Sequence, residues 1–408
     1  MTKILHVVDK MNPKEGGVSQ AVRTIASSLN EKGIKNVILS LDYKNASFLD
    51  KDALVINAIG NENENLWGYS KALGQWLEYN ILQYDFVVVH GLWQYPSYIT
   101  AKIVSKVKKK RNNIQEAGSV PQLFVMPHGM LDPYFQRAPD RKLKAIRNVL
   151  YWKLIERHVV NSADALLFTC ESERRLAHEP FTPYKPKKEF VVGLGVDTPP
   201  SFKSSMTTSF LKKCPEIDKK PYLLFLSRIH EKKGVDLLLL AYSKFLSESK
   251  EKQHQDNETP KLVIAGPGID TAYGKKILDI VHKDPLLNTN VFFPGMLEGD
   301  AKWGSFYGCE AFILPSHQEN FGIAVVEALA CSKPVLISNQ VNIWSEIKDS
   351  GGGIVDQDSI EGTYTMITKF QNLSPSEREN MNNNARLCFE TYFAVESATN
   401  ALLKVFSL

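Results

Sequence analysis

Two glutamates eight residues apart, Glu319 and Glu327, lie around the start of a predicted helix and could bind the hydroxyl groups of one ligand. The helix follows a short apolar run, Ala311–Leu314, so a strand leads into it. We expect the helix to begin near Asn320, a favoured N-cap residue, and Gly322 lets a ligand approach the backbone. Unpaired N–H groups and the helix dipole favour an anion at such a position. The pattern predicts a ligand that combines phosphate with hydroxyl groups, as a nucleoside diphosphate sugar does.

A second motif supplies the cations that such a ligand needs. The apolar residues 222–226 predict a buried strand, and the loop after it contains Arg228 and Lys233, five residues apart. Fixed cations stabilise a diphosphate leaving group while the bond between sugar and phosphate breaks. Lys232 is adjacent, so the choice of Lys233 depends partly on the glycine that follows it, Gly234.

Glycines and histidines at strand ends in the first half of the chain are further candidates. Gly16 and Gly17 follow the first predicted strand, where a double glycine permits close backbone approach and leaves helix N-terminal amides for a phosphate. His90 and His128 each end an apolar run, and ligands bind at the carboxyl ends of strands in open α/β sheets. For His90 a structural role is an equally good interpretation. The other histidines, His6 among them, lack such a setting, and we expect them to be structural.

The two main motifs resemble the Glu-x7-Glu and Ser-Arg-x4-Lys-Gly signatures of the retaining glycosyltransferases of family 4, also called glycosyltransferase group 1. The resemblance covers essentially the whole chain, and the residues around His128 are similar to those of the branch that acts in bacterial polysaccharide biosynthesis. It implies the GT-B fold, an α/β architecture in which two doubly wound Rossmann-like domains face each other across a cleft and the C-terminal helix crosses back to the first domain. Leu194 stands where the family commonly has asparagine, a departure that can alter the hinge or the cleft.

The resemblance also implies a role for each motif residue. Arg228 and Lys233 hold the diphosphate, Glu319 binds hydroxyls of the donor sugar, and Glu327 binds the ribose. His128 lies over the donor sugar and supports the reacting centre, which makes it a catalytic candidate together with Arg228, Lys233 and Glu319. The other expected donor contacts are Gly17, Asn320, Phe321, Gly322 and Ile323, with Met296 near the base, and the expected acceptor-side residues are Gly16, Gly17 and His90.

Apolar runs of strand length alternate with helical patterns along the chain, seven in the first half and six in the second, which predicts two parallel α/β sheets. One of these runs covers residues 53–56. A Pro-containing break at residues 197–200 separates the halves. We therefore expect an acceptor-side domain of residues 1–198 and a nucleotide-sugar-binding domain of residues 199–385, with residues 386–408 packing back on the first domain.

The composition argues against several other classes of protein. The 408 residues are 43% hydrophobic and 23% charged, as in ordinary globular proteins, and no apolar run reaches the roughly 20 residues of a membrane span. The net charge of +4 is too small to suggest a nucleic-acid partner. Five scattered cysteines have no metal-ligand spacing, and the N-terminal residues lead directly into a strand without a signal peptide. We expect a cytoplasmic protein with reduced thiols.

Two basic segments suggest peripheral contact with the inner face of a membrane. Residues 102–111 carry six cations and no acid, and residues 137–153 add further cations, Arg141 among them, beside Tyr151 and Trp152. Such segments can dock on anionic membrane surfaces, where lipid-linked acceptors reside, or they can form solvated helix faces. Both interpretations remain open.

We expect this chain to transfer a hexosyl group from a nucleotide sugar, UDP-glucose or a related UDP-sugar, to a saccharide or lipid-linked oligosaccharide in exopolysaccharide or envelope polysaccharide synthesis. No metal or further cofactor is expected, because Asp-x-Asp at residues 50–52 and 356–358 lies in predicted polar loops. GDP- and ADP-sugars remain open. So do a GT-B phosphorylase, a nucleotide-sugar epimerase and a non-catalytic nucleotide-sugar-binding subunit. A nucleotide-dependent oxidoreductase would need Gly-x-Gly-x-x-Gly after the first strand, which is absent.

Overall fold

The structure is a computed structural model that describes residues 2–13, 16–60, 67–114, 120–137, 142–251 and 259–407. The chain divides into two compact units. The first contains Met1–Gly195 and Val395–Leu408, and the second contains Val196–Ala394. Each unit has its own parallel sheet with helices between the strands, so the predicted α/β fold class is confirmed. All five cysteines lie in the described ranges, where they are buried and free of disulfide bonds.

The sheet of the first unit has seven strands, which follow the apolar runs of the sequence. They are β1 (Lys3–Val7), β2 (Lys35–Tyr43), β3 (Ile56–Gly60), β4 (Phe86–His90), β5 (Gln122–Met126), β6 (Ala165–Phe168) and β7 (Glu189–Val191). Their order is β3-β2-β1-β4-β5-β6-β7, and every pairing is parallel. The direction of winding reverses between β1 and β4, so the carboxyl ends of these two strands form the switch point where ligands bind in open α/β sheets.

Seven α-helices and one π-helical segment accompany this sheet in the described part of residues 1–195. The helices are α1 (Gly17–Glu31), α2 (Lys71–Asn80), α3 (Tyr95–Ile114), α4 (Tyr134–Arg137), α5 (Lys142–Tyr151), α6 (Arg157–Ser162) and α7 (Glu171–Leu176). The π-helical segment Trp152–Glu156 joins α5 to α6. In α1 the residues Val22, Ala26 and Leu29 recur at helical spacing and are buried, so this face packs into the core.

The second unit repeats the same plan with six strands. These are β8 (Tyr222–Leu226), β9 (Lys261–Ala265), β10 (Val291–Gly295), β11 (Ala311–Leu314), β12 (Val335–Ser338) and β13 (Gly353–Asp356), in the order β10-β9-β8-β11-β12-β13. The helices are α8 (Ser204–Leu211), α9 (Val235–Glu251), α10 (Ala272–Lys283), α11 (Pro285–Asn290), α12 (Gly299–Gly308), α13 (Ile323–Ala330), α14 (Trp344–Ser350), α15 (Ile360–Gln371) and α16 (Pro375–Cys388). The switch point of this sheet lies between β8 and β11.

The C-terminal helix α17 (Val395–Phe406) belongs to the first unit. The ring of Phe406 stacks on Phe86 with centroids 4.6 Å apart and meets Phe124 at 5.0 Å. Gly195 permits the start of α17 to come close, since a Cβ there would lie 3.0 Å from the Cα of Val395. These contacts anchor the end of the chain on the sheet of the first unit.

Residues 386–394 belong to the second unit, although the sequence interpretation grouped them with the first. They finish α16 and form a π-helical turn, Phe389–Phe393, whose two terminal phenylalanines are buried. The ring of Phe393 packs edge-on against Phe321 at 5.7 Å. Burial of these rings in the second core keeps the segment there until Val395.

Strand β3 also differs from its prediction, because it begins at Ile56, where the predicted run of residues 53–56 ends. Val55 is exposed, so the apolar run does not enter the core at this point. The pairing with β2 instead starts at Ile56, opposite Ile38.

Candidate active site

Two loops of the second unit, at the carboxyl ends of β8 and β11, hold Lys233 and Glu319 against each other. The ammonium Nζ of Lys233 forms an ion pair with Oε2 of Glu319, and the two side chains are only 11% and 23% exposed. Partial burial limits screening by water, so the charges are stronger here than on an open surface. The two residues that the sequence assigned to diphosphate and sugar therefore meet at the switch point of the sheet.

Contacts between the two loops explain why the pair forms. The hydroxyl Oγ of Ser316 donates to the carbonyl oxygen of Lys232 at 2.8 Å. Gly234 has a φ of +65°, and a Cβ there would lie 2.1 Å from the carbonyl oxygen of Pro315. Only glycine fits this close crossing, and it brings the preceding lysine alongside the second loop.

The backbone of Glu319 is fixed on both sides by the segment that follows β12. Its N–H donates to the carbonyl oxygen of Gln340 at 3.0 Å, and its own carbonyl oxygen accepts from the N–H of Asn342 at 2.9 Å. These bonds form a short parallel bridge opposite Val341. The carboxylate is thus presented by an anchored backbone.

The helix after this loop begins later than the sequence interpretation expected. Its N-cap is Gly322 in the left-handed conformation, with a φ of +74°, and α13 starts at Ile323, so the assignment of Asn320 as the N-cap is wrong. Asn320 remains in the extended segment tied to β12, where its Oδ1 faces Nδ2 of Asn342 at 3.4 Å. Among the described residues, no side chain caps α13, and the N–H groups of Ile323 and Ala324 find no acceptor. This helix start can receive an anion.

Glu327 is the fifth residue of α13, roughly 6 Å along the helix axis from Ile323 at ~1.5 Å per residue. Its Oε1 accepts from Nζ of Lys302 at 2.6 Å, and the lysine also lies 4.7 Å from the centre of the Trp303 ring. Burial raises the pKa of Glu327, while the charge and hydrogen bond of Lys302 lower it. Lys302 was missed by sequence reasoning, because a single lysine in α12 gives no motif that ties it to the site.

Arg228 and Met296 lie at the ends of β8 and β10 and are both exposed. Within the ranges that the structure describes, the guanidinium of Arg228 has no acid partner, so its charge is available to a ligand. The roles of these two residues, and those of Phe321 and the helix start in donor binding, stay predictions.

In the first unit, three histidines form a hydrogen-bonded row at the switch point. Nδ1 of His6 lies 3.0 Å from Nε2 of His90, and Nδ1 of His90 lies 3.0 Å from Nε2 of His128. The rings stack with centroids 5.2 Å and 5.3 Å apart. The far nitrogen of His6, Nε2, faces Oδ1 of Asn36 at 3.0 Å. His6 and Asn36 were missed because each lies within a strand, with no motif around it that indicates a site.

Burial sets the charge state of this row. It lowers the pKa of His6 and of His128 to about 4, although the hydrogen bond from His6 to Asn36 partly offsets the effect in His6. Burial, and then the two neighbouring histidines, hold the pKa of His90 well below its usual value. All three imidazoles are therefore neutral at pH 7.

His128 is held in place by its backbone as well as by its ring. It has a φ of +53°, which is uncommon for a residue with a side chain. The next N–H, that of Gly129, donates to Oε1 of Glu173 at 2.5 Å. The buried Glu173 also accepts from the N–H and the hydroxyl of Thr169 at 2.7 Å and 2.6 Å. Sequence reasoning missed this anchor, because Glu173 lies 44 residues beyond Gly129, whose N–H donates to it.

The double glycine lies at the start of α1, with Gly16 as the N-cap at a φ of +96° and Gly17 as the first helical residue. A Cβ at either position would meet no described atom within 4 Å, so the backbone here is open to a neighbour. The carboxylate of Asp42 fixes the preceding loop by accepting from the N–H of Met11 at 2.6 Å and of Asn12 at 3.3 Å. The proposed contacts of the two glycines with donor or acceptor remain untested.

The two Asp-x-Asp matches are engaged in protein contacts. Asp52 forms an ion pair with Arg23, and the carboxylate of Asp358 lies 3.0 Å from Nδ1 of His317. Within the described ranges, no three His, Cys, Asp or Glu residues cluster as metal ligands would. Metal independence stays a prediction that only an activity measurement can decide.

Comparison with known protein families identifies the class to which the fold and site belong. The family described as "Glycosyl transferases group 1" matches residues 207–387, and the family described as "Glycosyl transferase 4-like domain" matches residues 16–195. By these two matches, which together cover most of its length, the chain belongs to the family of glycosyltransferase group 1, as its motifs predicted.

Solved structures support the same fold. A glycosyltransferase of Rickettsia africae superimposes with a TM-score of 0.74 at 16% identity, over 100% of this chain and 98% of that one. HepE of Anabaena, in complex with UDP and glucose, superimposes with a TM-score of 0.70 at 15% identity, over the full length of both chains. At this level of identity the likeness shows the GT-B fold alone.

Curated relatives match only part of their length. A D-inositol 3-phosphate glycosyltransferase of Kineococcus radiotolerans is 27% identical over 199 residues, which are 48% of this chain and 45% of the relative. The protein of the same description from Gordonia bronchialis is 26% identical over 262 residues, 62% of this chain and 54% of the relative. The matches span about half the length of these relatives. The acceptor named in their descriptions is therefore a property of those proteins and is not assigned to this chain.

Proposed function

We propose that this chain transfers a hexosyl group from UDP-glucose or a closely related UDP-sugar to a saccharide or lipid-linked oligosaccharide in exopolysaccharide or envelope polysaccharide synthesis. The ion pair of Lys233 and Glu319 carries the proposal, because it sets a cation for a diphosphate beside a carboxylate for sugar hydroxyls. UDP is favoured because the similar Anabaena HepE is solved in complex with UDP and glucose.

The donor site can neutralise a diphosphate with its own groups. Lys233 and the exposed Arg228 supply two positive charges, and the uncapped start of α13 supplies N–H groups. Charge-assisted hydrogen bonds of this kind are among the strongest that proteins make. We therefore propose that binding and transfer proceed without a metal ion, with Glu327 accepting from the ribose hydroxyls.

The proposed transfer retains the anomeric configuration. The bond from the sugar C1 to the diphosphate oxygen breaks while the acceptor oxygen bonds to C1 on the same face. The acceptor hydroxyl gives its proton to the departing phosphate oxygen, and UDP leaves. Lys233 and Arg228 stabilise the charge that develops on the leaving group, and Glu319 and His128 orient sugar hydroxyls. Product with inverted configuration would contradict this scheme.

Nucleotide binding is the first test of the donor site. In EDTA, we expect UDP to raise the melting temperature of the wild type more than GDP or ADP does. A ligand at 100 times its Kd stabilises by about 2.7 kcal/mol, which a melting curve resolves easily. Glu327→Ala should lose most of the rise, because the ribose hydroxyls lose their acceptor. A rise only after magnesium is added would contradict metal independence.

Glu310→Ala is the matched control for this measurement. Glu310 precedes β11, whereas Glu319 follows it, and Glu310 forms an ion pair with Arg378 at 3.2 Å. Its removal takes a carboxylate from the same unit without touching the proposed site, so the UDP-induced rise should persist. If Glu327→Ala and Glu310→Ala respond alike, the assignment of the ribose contact is wrong.

A turnover assay separates the alternative functions. Turnover that needs a separate acceptor would exclude the epimerase and the binding subunit. Release of UDP as the product would exclude the phosphorylase.

A surface of the first unit suits the membrane contact that a lipid-linked acceptor requires. The segment from α5 to the π-helical turn exposes five large apolar side chains, of which Val149 is the least exposed at 38%. The other four are Leu143 at 83%, Ile146 at 61%, Leu150 at 58% and Leu154 at 74%. Their spacing of three and four residues places them on one helix face. We call these four residues the apolar stripe.

Charge around the apolar stripe favours an anionic bilayer as its partner. Lys142, Lys144, Arg147 and Lys153 are exposed among these residues, and no acid occurs before the buried Glu156. The other basic segment, residues 102–111, is partly neutralised, since Lys106 and Lys108 form ion pairs with acids. Exposed apolar residues flanked by cations are typical of helices that lie in the membrane interface. No described helix is both long and apolar enough to cross a bilayer.

Two residues that the sequence analysis named in the membrane-contact segment do not support the contact in the structure. Trp152 is buried, with its ring stacked 4.8 Å from that of Phe181, so it cannot reach a lipid surface. Arg141 lies outside the described residues. The contact therefore depends on the apolar stripe and the cations beside it.

Vesicle flotation tests this surface. We expect the wild type to float with vesicles containing phosphatidylglycerol but not with phosphatidylcholine alone, because the cations need an anionic surface. Leu143→Ser combined with Leu154→Ser should abolish flotation. The control combines Leu82→Ser with Leu387→Ser, two exposed leucines elsewhere, and should float as the wild type does. Equal flotation of both double variants would remove the apolar stripe as the contact.

A further inference from the structure

The histidine row ends on Asn36, and the amide of this residue fixes the direction of the whole row. Three oxygen atoms surround its Nδ2 and share its two hydrogens, the carbonyl of Ile34 at 2.9 Å, Oδ1 of Asn30 at 3.0 Å and the carbonyl of Ala26 at 3.3 Å. The opposite atom, Oδ1, therefore faces Nε2 of His6 at 3.0 Å. An amide oxygen only accepts, so Nε2 of His6 carries the hydrogen.

The position of the hydrogen on one ring determines its position on the next, because a neutral imidazole has one N–H that donates and one nitrogen lone pair that accepts. Nδ1 of His6 must accept, so Nε2 of His90 donates to it. Nδ1 of His90 must then accept, so Nε2 of His128 donates. Nδ1 of His128 is left as the lone-pair end of the row. No described protein group hydrogen-bonds to this atom, and His128 is only partly buried.

We propose that Asn36, His6 and His90 are positioning residues, which hold His128 in the tautomer whose Nδ1 accepts a hydrogen bond from a sugar hydroxyl of the substrate. This inference rests on the proposed function, in which His128 meets a sugar. It adds a specificity: a substrate group at this place must have a hydrogen to donate. A deoxy or fluoro sugar lacking that hydroxyl hydrogen loses the contact.

Asn36, at the end of the row beyond His6, argues against a role of the row as a proton relay. A proton taken up at His128 could pass to His90 and His6, but the row then stops at the amide of Asn36. An amide oxygen is not a base at neutral pH, and the residue has no carboxylate to hold the charge. Burial also disfavours a charged imidazole in this row. The row therefore orients His128 and does not carry a proton away.

Ring tautomers can be read directly in the full-length protein. Long-range proton–nitrogen correlation spectra of the chain labelled with 15N-histidine distinguish protonated from bare ring nitrogens. Signals are assigned by their loss in His6→Gln, His90→Gln and His128→Gln. At pH 7 we expect His6, His90 and His128 all to carry hydrogen on Nε2 alone. Hydrogen on Nδ1 of His128, or an imidazolium in the row, overturns the proposal.

Two substitutions of His90 test whether the row acts on His128. In His90→Gln the amide can still accept from His128 and donate to His6, so the direction of the row survives. His90→Leu offers neither group. We expect His90→Leu to give His128 a second tautomer and to lower kcat/KM for the UDP-sugar by about tenfold, as the loss of one buried hydrogen bond would. His90→Gln should keep the tautomer and most of the rate.

The controls separate this inference from misfolding and from the proposed function. Circular dichroism melts show whether both His90 variants fold, and His6→Leu and His6→Gln repeat the comparison one ring further away. Equal rates in the leucine and glutamine variants, with the tautomer of His128 unchanged, overturn the positioning role. If the wild type transfers no sugar, the proposed function fails, and the tautomers alone then decide whether the row directs His128.

Discussion

Replacement of Lys233 by alanine is expected to lower kcat for sugar transfer on the order of 10²- to 10³-fold. The side chain of Lys233 is 11% exposed and its ammonium lies beside Glu319, so water screens the charge poorly. As the sugar–phosphate bond breaks, negative charge grows on the departing diphosphate oxygen. A fixed cation stabilises that charge more in the transition state than in the ground state, and its loss therefore lowers kcat. Initial rates at saturating donor and acceptor measure this effect.

Lys232→Ala is the matched control. It removes the same charge one residue away but keeps the carbonyl oxygen that accepts from Ser316, so the crossing of the two loops is preserved. We expect this variant to retain nearly the wild-type rate. If Lys233→Ala loses no more activity than Lys232→Ala, the assignment of the diphosphate cation is wrong.

A double-substitution cycle separates the charge of Lys233 from its effect on Glu319. Lys233→Ala also leaves the carboxylate of Glu319 without its ion-pair partner. If the two residues act as a unit, the double variant Lys233→Ala/Glu319→Ala will lose less activity than the product of the single losses. Independent roles would give simple multiplication.

The strands of both sheets could be predicted because parallel strands buried on both faces need continuous apolar runs. Ala311–Leu314 and Tyr222–Leu226 occur in the structure with the predicted bounds. Loop residues are less constrained by such patterns. The preference of Asn320 for an N-cap is outweighed by the backbone bonds that keep Glu319 extended, and the chain turns into α13 only at Gly322.

The site could be predicted where its residues lie close together in a motif, and not where they depend on distant partners. The pairing of Lys233 with Glu319 joins two motifs that were each visible in the sequence. The partner of Glu327 is Lys302, which lies 25 residues earlier in another helix. His6 meets His90 across 84 residues of sequence, through the pairing of β1 with β4. Such contacts are set by the order of strands, which single residues do not encode.

The second large effect concerns stability and a carboxyl group that the proposed transfer does not use. Glu156 is fully buried at the end of the π-helical turn, and burial raises its pKa to about 8. Its Oε2 has no hydrogen-bond partner in the described part of the chain. The hydroxyl of Ser97 lies 3.3 Å from Oε1 and 2.8 Å from the carbonyl oxygen of Gln94, so its one hydrogen is shared between two acceptors. Hydrogen bonds from the backbone of Trp93 and from Ser97 lower the pKa of Glu156, but burial is the larger effect. No cation pairs with Glu156 among these residues, so it is mainly protonated at pH 7.

The sign of the pH effect follows from the raised pKa. Above the unfolded pKa of about 4.5 the unfolded chain releases this proton, while the folded chain keeps it until about pH 8. Folding therefore binds a proton, and the unfolding free energy falls by about 1.4 kcal/mol per pH unit between these values. Glu156→Gln removes this dependence with little change of shape. We expect the variant to exceed the wild type in stability at pH 9 by a few kcal/mol, and to match it near pH 4.5.

Urea unfolding followed by tryptophan fluorescence measures this difference in the first unit, where Trp93 and Trp152 lie near Glu156. Glu179→Gln is the control, since this carboxylate forms an exposed ion pair with Arg137 and should barely change the curve. Parallel stability curves for Glu156→Gln and the wild type from pH 5 to pH 9 would mean that the carboxyl group ionises normally. A gain for Glu156→Gln that grows with pH would instead identify Glu156 as a protonated acid, held neutral because the packing of the first unit supplies no cation for it.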